Sequence, residues 1–581
     1  MDKKEKEDFL RIARDRFKKI LTAEYDIRNA ALEDLKFVYN VDNGQWPSLI
    51  RQEREEDNRP CLTSNKLRKY VAQVANRERD QRLAGRVRPV DDKADIQTAK
   101  IIEGMIRQIE YASIADEIYV NAGEQAIAGG FGYWRIVTEE ADDSFDQEIF
   151  IRPIENQFSV YLDPRKNYAF IREGMSRDDF KFLYPDAEVM DFPLTGVGED
   201  YSLWYEQDKV FIAEYFYKEV YEKTIAECFD IETGRIVILE LTETLTPETL
   251  ADNNFKIIRQ EIKKAKRVKW AKITGNDVLE EGIWVGKEIP IIEVLGDKIN
   301  IEGKQYKRSL IRDGKDPQRT YNFWLTHMTE TVALTPKSPY IVTPQEIKGF
   351  EKMWNEANKK NYPYLLYNPQ GNRIPERQIP SQIPTGAAQM LQISAGDIQD
   401  TIGMYDASFG ERSNERTGIA IRSRAQRSDF GTYHFPDNFR RAIIETTRQL
   451  IYIIPKIYDT ERQIRILGEE GIEDIVTINK VVLDIATGRK IIYNDITVGK
   501  YDVVADVRIF STRRQEAAEM MTTTMQAAPN IAPLIMDLIF QYNDWPGAEE
   551  IAKRIKQFLP ALLGIKTPEG ETTPPIATIG G

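Results

Sequence analysis

Cysteine and histidine are scarce in this chain. Cys61 and Cys228 are the two cysteines and His327 and His434 the two histidines among 581 residues. Two cysteines cannot build a disulfide framework or a cysteine-based zinc site, so we expect two reduced, partly buried thiols. This scarcity argues against a catalytic mechanism that requires two histidines and a cysteine.

Long apolar runs are also missing. The chain begins MDKKEKEDFL, with charges of both signs, which is unlike a secretory signal. The most apolar run, IAPLIMDLIF, is interrupted by Asp537, whereas a membrane span needs about 18 uncharged apolar residues. We therefore expect a soluble protein, with no membrane contact, that is made in a cytoplasm.

Motifs for catalysis are absent from the sequence. It contains no G-x-x-x-x-G-K-[ST] loop, no G-x-S-x-G elbow and no H-E-x-x-H pair. Acidic pairs such as Asp91–Asp92 and Asp142–Asp143 could gather a divalent cation, but a solvated loop explains them more simply. We predict no catalytic residues, no metal and no cofactor, and keep a metal-dependent nucleic-acid-processing enzyme as an alternative.

An excess of positive charge is missing from the chain as a whole, which has a net charge of −13. This argues against tight, sequence-independent binding of DNA over the whole surface. One local exception is the stretch SFGERSNERTGIAIRSRAQRSDFG from Ser408 to Gly431. Its charged residues are Arg412, Arg416, Arg422, Arg424 and Arg427 together with Glu411, Glu415 and Asp429.

The periodicity of apolar residues predicts an α+β protein. Helical spacing predicts helices over 8–38, from Ser64 to Gln81, over 91–128, over 306–333, from Gly386 and after Pro436. Alternating β-rich patterns occupy 133–295 and 461–510, and the turns DIETGR and DIATGRK predict two hairpins of similar type. A helical excursion therefore separates two β-rich regions. Within it, prolines bracket a small segment, 337–383, with one short helix and strands around PYLLYN and RQIP.

Four stretches in this order resemble the portal, or head-to-tail connector, proteins of tailed double-stranded DNA bacteriophages, especially the short-tailed phages. They are NKLRKYVAQVANRERDQR (65–82), ADIQTAKIIEGMIRQIE with NAGEQAIAGGFGYWRI (94–136), IRDGKDPQRTYNFW (311–324) and SNERTGIAIRSRAQRSDFGTYHFPDNFRRA (413–442). The resemblance covers the chain to about residue 565, and it implies a structural protein rather than an enzyme.

The resemblance implies a protomer with a mixed α/β wing, two long stem helices, a small α/β clip between them and a helical crown. Mapped onto this chain, the expected boundaries are wing 1–305, first stem helix 306–336, clip 337–383, second stem helix 384–409, tunnel-loop region 410–435, returning helix 436–460, wing β-rich part 461–512, crown 513–565 and a disordered tail 566–581. That Thr/Pro-rich tail is not the heptad helix of the C-terminal barrel that some of these portals carry.

The resemblance also implies a ring, typically of twelve copies, at one capsid vertex of the virion, through which DNA is packaged and ejected. The partners implied are double-stranded DNA, the terminase packaging motor, the major capsid protein and scaffold, and later a tail adaptor; another head–tail adaptor or virion structural protein is the second alternative. DNA must slide through such a channel, so a strongly basic bore would act as a brake.

The charged residues acquire possible roles from this resemblance. On the second stem, Asp397, Asp400 and Asp406 are candidates to line the channel and repel phosphate. Some of the arginines at 412, 416, 422, 424 and 427 are expected to pair with Glu411, Glu415 or Asp429 of a neighbouring copy. The remaining arginines would contact DNA transiently.

Overall fold

The structure is a computed structural model with two compact units, 1–76 with 87–504 and 77–86 with 505–581. It describes residues 3–80, 83–91, 94–140, 146–187, 209–231, 234, 236–242, 245–334, 340–357, 360–371, 374–377, 385–404, 430–467, 473–483 and 490–507, together with 520–522, 524, 525, 539 and 555. Of the predicted crown, therefore, only a few positions lie among the described residues.

The helices in chain order are α1 Lys3–Val38, α2 Ser48–Glu56, α3 Leu67–Asp80, α4 Ile96–Ala112, α5 Ala115–Gly129, α6 Arg177–Leu183, α7 Pro247–Asp252, α8 Lys315–Leu334, α9 Glu351–Glu356, α10 Thr385–Ile402 and α11 His434–Ile457. None of the helices in the described ranges is both long and apolar enough to cross a membrane.

The strands are β1 Leu83–Pro89, β2 Phe131–Glu140, β3 Gln147–Pro153, β4 Val160–Leu162, β5 Tyr168–Ser176, β6 Lys209–Asp230, β7 Ile236–Leu241, β8 Phe255–Ile273, β9 Val278–Trp284, β10 Ile291–Leu295, β11 Asp297–Ile301, β12 Lys304–Arg308, β13 Tyr340–Ile341, β14 Glu376–Arg377, β15 Arg462–Leu467, β16 Glu473–Ile478, β17 Lys480–Leu483, β18 Lys490–Tyr493 and β19 Tyr501–Val507. The α+β class predicted from periodicity is confirmed.

The largest sheet has six antiparallel strands in the order β4-β5-β6-β8-β9, with β7 paired to β6. The long predicted helix α1 lies over this sheet and buries Leu10, Phe17 and Ile20 against a core that includes Phe170 and Tyr215. The three- and four-residue spacing of the apolar positions places them on one side of α1, as the sequence predicts.

One predicted helix is divided in two. The pattern over 91–128 indicates a single helix, whereas α4 ends at Ala112 and α5 begins at Ala115. At the break Ile114 has a φ of 53° and an exposed side chain, and Ser113 Oγ accepts the backbone N–H of Ile151 at 2.9 Å. This hydrogen bond to β3 connects the break to the neighbouring three-stranded sheet. The apolar period continues through it, which is why the pattern did not reveal the division.

Hairpins β6–β7 and β17–β18 are both present at the two places where the sequence predicts hairpins. Phe229 pairs with Ile236 on either side of the first turn, where Gly234 has a φ of 68° and donates its N–H to Asp230 O at 2.9 Å. Leu483 pairs with Lys490 on either side of the second. Gly234 adopts the left-handed conformation that glycine tolerates best.

The helix predicted from residue 306 begins at Lys315. Residues 304–308 instead form β12, which pairs with β11 around a turn in which Glu302 and Gly303 both have positive φ. Ile311 is fully buried and the N–H of Gly314 bonds to its carbonyl oxygen, so a turn separates β12 from α8. The helix was predicted too early because the helical spacing of apolar residues continues back through β12, whose side chains are mostly polar.

Candidate functional site

Helices α8 and α10 pack together as an antiparallel pair, and this pair is the candidate functional site. A Cβ at Gly314, just before α8, would lie 3.3 Å from Ile402 at the end of α10. The start of one helix therefore meets the end of the other. Between them the chain passes through the small segment that contains β13, α9 and β14.

The start of α8 is held by one buried carboxylate. Asp34 on α1 has no exposed side-chain surface, and it accepts hydrogen bonds from Ser309 Oγ and Arg312 Nε, both at 2.6 Å. Lys315 Nζ lies 2.9 Å from the other oxygen of the same carboxylate. One carboxylate thus accepts two hydrogen bonds and forms an ion pair with Lys315, which fixes the segment leading into α8 against α1.

Glu33 adds an outer, more exposed contact to the same place. Lys315 Nζ lies 3.1 Å from Glu33 and Arg319 lies 3.5 Å from it. Partial burial opposes ionisation of Glu33, but the hydrogen bond from Lys315 and the charges of Arg319 and Arg312 outweigh that effect and lower its pKa. Both cations at the start of α8 are therefore occupied by carboxylates.

A ladder of polar side chains follows along the buried face of α8. Lys66 N–H donates to Gln318 Oε1 at 2.9 Å, Ser64 N–H to Asn322 Oδ1 at 3.1 Å and Leu62 N–H to Thr326 Oγ1 at 3.2 Å. Every fourth helical residue rises about 6 Å and every second extended residue about 6.6 Å. The nearly equal steps let one helix face bind the backbone of residues 62–66 in register.

This ladder shifts the start of α3. The sequence predicts a helix from Ser64, but α3 starts at Leu67. The backbone of Ser64 is bound on both sides by α8, since Gln318 Nε2 also donates to Ser64 O at 2.9 Å. Asn65 Oδ1 accepts the N–H of Arg68 in the first turn of α3. The extended conformation of 62–66 is thus set by α8.

Glu330 anchors the far half of α8. Its carboxylate is buried, bonds to Arg54 of α2 and lies 3.0 Å from Arg59. Arg54 also donates from Nε to Pro60 O at 3.1 Å. The sequence analysis missed α2 because SLIRQEREE has few apolar residues, and it gave no sign that Arg54 would be buried.

Helix α10 is attached in a different way. Ile398 and Ile402 are buried in an apolar cluster with Leu67, Val71, Ile311 and Phe435. The helix ends at Gly403, whose φ is 75°, and a Cβ at Gly431 would lie 3.0 Å from the carbonyl oxygen of Gly403. The residues on either side of the segment 405–429 thus meet at the end of α10.

The outward face of α10 carries no cation. Its exposed residues form a broad face on the side away from the buried Ile398, and they are Gly386, Gln389, Met390, Gln392, Ile393, Asp397, Asp400 and Thr401. The whole helix contains no lysine or arginine. Asp397 and Asp400, two of the predicted channel residues, therefore share one solvent-exposed face that is acidic.

The other predicted site residues lie outside the described residues. They are Asp406, Glu411, Arg412, Glu415, Arg416, Arg422, Arg424, Arg427 and Asp429. The predicted tunnel-loop region is described only from Phe430, where a short 3-10 turn precedes α11. Helix α11 begins at His434, two residues before the predicted Pro436.

His327 belongs to an aromatic cluster on α8. Its ring stacks on Phe323 with 6.3 Å between centroids and 3° between planes, and Trp324 meets it edge-on at 5.9 Å. Phe323 is 46% exposed. His327 therefore contacts aromatic side chains of its own helix.

The small segment between the helices is organised around Trp354. Tyr340 meets the Trp354 ring edge-on at 5.1 Å, the Arg377 guanidinium lies 5.3 Å from the Tyr340 ring, and Trp354 Nε1 donates to Leu366 O at 2.7 Å. The predicted short helix is present as α9. No strand forms around PYLLYN, where Leu366 O accepts the Trp354 indole N–H and the N–H of Asn368 donates to Glu346 O at 2.8 Å.

The described residues contain no cluster of three or more histidine, cysteine or acidic side chains suited to hold a metal ion. Of the two predicted carboxylate pairs, Asp91 is described, and it accepts the N–H of Lys500 at 3.1 Å. Cys61 and Cys228 are both free thiols, and burial raises the pKa of Cys228. Their predicted reduced state fits this geometry.

Two comparisons with known proteins relate this chain to phage proteins. The family model of the phage P22-like portal proteins matches residues 14–577. A portal protein of Acyrthosiphon pisum secondary endosymbiont phage 1 is 27% identical over 531 residues, which cover 86% of this chain and 73% of that protein.

Proposed function

The chain belongs to the phage P22-like portal protein family, and on this premise we propose that its copies assemble side by side into a ring, of twelve by resemblance, around a channel for double-stranded DNA. A phage portal function, in genome packaging at a capsid vertex, follows from the family. The ring, its copy number and the parts of the protomer that line the channel are the proposal.

The observation that carries this proposal is the antiparallel pair α8–α10 with a small segment between its helices. We assign α8 and α10 as the stem helices, the segment 340–377 as the clip, the six-stranded sheet with α1 to the wing, and α11 as the helix that returns to the wing. The clip would dock the terminase motor during packaging and the tail adaptor afterwards.

The charges of the helix pair support a channel that DNA can pass. Lys315 and Arg319 are paired with Glu33, Asp34 and Asp316. Asp397 and Asp400 are exposed on α10 without any cation on that helix. A wall of this kind repels phosphate, so it avoids the counterion release that would hold DNA in place.

Electron microscopy of the purified full-length chain tests the ring directly. We expect ring-shaped particles with a central hole, and native mass spectrometry of the same sample should return one dominant copy number. A monodisperse monomer under all assembly conditions would contradict the proposal. A plasmid-nicking assay with and without Mg²⁺ separates it from the nuclease alternative, for which Mg²⁺-dependent cleavage is required.

The arginines of the predicted tunnel-loop region have a separate test. We propose that part of the set Arg412, Arg416, Arg422, Arg424 and Arg427 pairs with Glu411, Glu415 or Asp429 of a neighbouring copy and that the rest contact DNA transiently. Replacing Arg422, Arg424 and Arg427 by glutamine should weaken ring assembly or change retention of DNA. Unchanged assembly together with unchanged retention would refute this role.

A further inference from the structure

Beyond the edge of β9, strands β6 and β8 continue as an arm that is exposed on both faces. Strand β9 pairs with Val268–Ile273 only, so residues 255–267 of β8 have no strand on their outer side among the described strands. All of residues 258–264 are exposed. At its far end the arm carries a small apolar core of its own, formed by Ala226, Cys228 and Leu250 with neighbouring side chains.

One face of the arm combines apolar and basic side chains. Val220 pairs with Lys266, Glu222 with Lys264 and Thr224 with Ile262, so these six side chains point to the same face. Val220 is 61% exposed and Ile262 is 68% exposed. We call Val220, Ile262, Lys264 and Lys266 the arm patch.

The basic residues of the arm patch stand out because their neighbours are paired. On the opposite face Arg267 and Lys269 share Glu219, at 2.7 and 3.1 Å. Neither Lys264 nor Lys266 has an ion-pair partner in the part of the chain that the structure describes. Glu222, directly opposite Lys264, is itself exposed, so the patch keeps a small positive excess.

A second exposed surface, of opposite character, lies near the other end of β6. Helix α6 buries Phe180 against Val210 and Ile212 of β6. At 100° per residue the side opposite Phe180 presents Asp178 and Phe182, with Asp179 on one flank and the exposed Lys181 on the other, so this surface has a net charge of −1. Phe182 is 86% exposed, the largest fraction for a large apolar side chain among the described residues. We call Asp178, Asp179 and Phe182 the α6 patch.

From these two surfaces we propose that the α6 patch of one copy docks on the arm patch of the next copy. Phe182 would pack against Val220 and Ile262, while Asp178 and Asp179 would face Lys264 and Lys266. An apolar centre with oppositely charged surroundings is the usual composition of a specific protein interface. This proposal rests on the proposed function, because it supplies a contact between neighbours in the ring.

The spacing of the patches suits a repeating arrangement. From Ile212 beside α6, β6 advances roughly 26 Å to Val220 and roughly 40 Å to Thr224 on the arm, at 3.3 Å per residue. The two patches are different surfaces of one protomer, and such a head-to-tail contact generates a closed ring when the rotation between copies closes.

Another acidic surface with an exposed apolar residue is the alternative occupant of the arm patch. On α2, Leu49 is 75% exposed, and Glu53 and Glu56 lie on the same side of the helix. However, α2 is attached to the far half of α8 through Arg54 and Glu330, away from the sheet that carries the arm. We therefore favour α6 and use α2 as the matched comparison.

The test is a charge-swap series in the full-length chain, read by native mass spectrometry and analytical ultracentrifugation. The double variant K264E/K266E should weaken ring assembly at least about tenfold, since like charges would then face each other. Adding D178K should restore part of that loss, and F182D alone should weaken assembly. Asp179 is left unchanged because the Ser176 cap of α6 is hydrogen-bonded to it.

Matched variants separate this contact from general effects of charge. K256E/K298E reverses two other exposed lysines and L49D adds a charge to α2; neither should alter assembly. If K264E/K266E assembles normally, or if E53K/E56K rescues it and D178K does not, the α6 assignment is wrong. If the unmodified chain forms no ring, the proposed function fails first, and that result is distinct from a ring that tolerates K264E/K266E.

Discussion

Helices α8 and α10 lie side by side, but they are held to the body by different forces. Helix α8 is fixed by directional polar contacts along its length, from Asp34 at its start to Glu330 near its end. Helix α10 is held by apolar packing of Ile398 and Ile402 and has an exposed acidic face. Hydrogen bonds and ion pairs specify one register, whereas apolar packing is non-directional and tolerates small shifts.

This difference has a consequence for the charges on the helix pair. The cations of α8 serve the attachment to α1, because Lys315 and Arg319 both contact Glu33. They are therefore not available to a phosphate backbone. On α10 the attachment needs no charge, so its outer face can carry Asp397 and Asp400 alone. In the proposed ring, attachment and channel wall would be divided between the two helices.

The largest expected effect comes from giving α10 the cations that it lacks. In the proposed ring, D397K/D400K would place two new cations per copy on the wall. If six or more of these contact phosphates, DNA retention should become strongly salt-dependent, falling about a thousandfold between 50 and 200 mM salt. Filter binding of DNA to assembled rings measures this.

Two variants control for this result. D397N/D400N removes the negative charges without adding cations and should change retention far less. E248K/D252K replaces two exposed carboxylates on α7 by lysines, which matches the charge change away from α10, and it should leave the salt dependence near that of the unmodified ring. If D397K/D400K also behaves like the unmodified ring, the acidic face of α10 is not turned toward DNA.

The next effect concerns the attachment of α8. Asp34→Ala would leave Arg312 and Lys315 beside α1 without their shared carboxylate. Removing one partner of a buried pair typically lowers the free energy of unfolding by about 3 kcal/mol or more. Urea unfolding of the chain measures this loss. Asp26→Ala removes only the exposed pair with Lys304, which should cost at most about 1 kcal/mol; equal losses would mean that Asp34 is not the anchor.

For α10 the comparison predicts sensitivity to apolar volume instead. Ile398→Ala deletes a side chain that is 1% exposed, and it should lower the free energy of unfolding by about 2–5 kcal/mol. Ile393→Ala, at a position that is 53% exposed on the same helix, should change it by at most about 0.5 kcal/mol. Thermal and urea unfolding distinguish the two, and similar losses would show that α10 is not held through its Ile398 side.

Much of this arrangement could be predicted from the sequence, and the parts that could not be predicted share a physical reason. Apolar periodicity located α1, α10 and α11 within a few residues, and turn composition predicted both hairpins, because these features depend on local chemistry. The polar ladder of Gln318, Asn322 and Thr326 was not predicted, since amide side chains on a helix are usually exposed. Their burial depends on the extended residues 62–66, which are distant in sequence.

The exposure of the arm patch and the α6 patch could not be predicted from the sequence either. Val220, Ile262 and Phe182 belong to apolar patterns that predict a buried strand or helix face. Ile262 lies on the part of β8 that β9 does not reach, since β9 pairs only as far as Val268, and Phe182 lies on the side of α6 opposite the buried Phe180. The sequence predicts one β-rich wing for the whole region, and no pattern in it indicates that β6 and β8 extend as an arm. The family resemblance likewise indicated the order of the parts but not which side chains remain exposed.

The smallest effect predicted is a pH dependence of the outer contact of α8. The pKa of Glu33 is lowered in the folded chain because Lys315 and its neighbouring arginine side chains outweigh partial burial. Its contribution is therefore present above the pKa of an unfolded glutamate and is lost as pH falls through the folded value. Glu33 is more than half exposed, so Glu33→Gln should lower the free energy of unfolding by at most about 0.5 kcal/mol at pH 7. The difference between variant and unmodified chain should vanish in acid; a difference that persists below pH 3 would mean that Glu33 acts through packing and not through its charge.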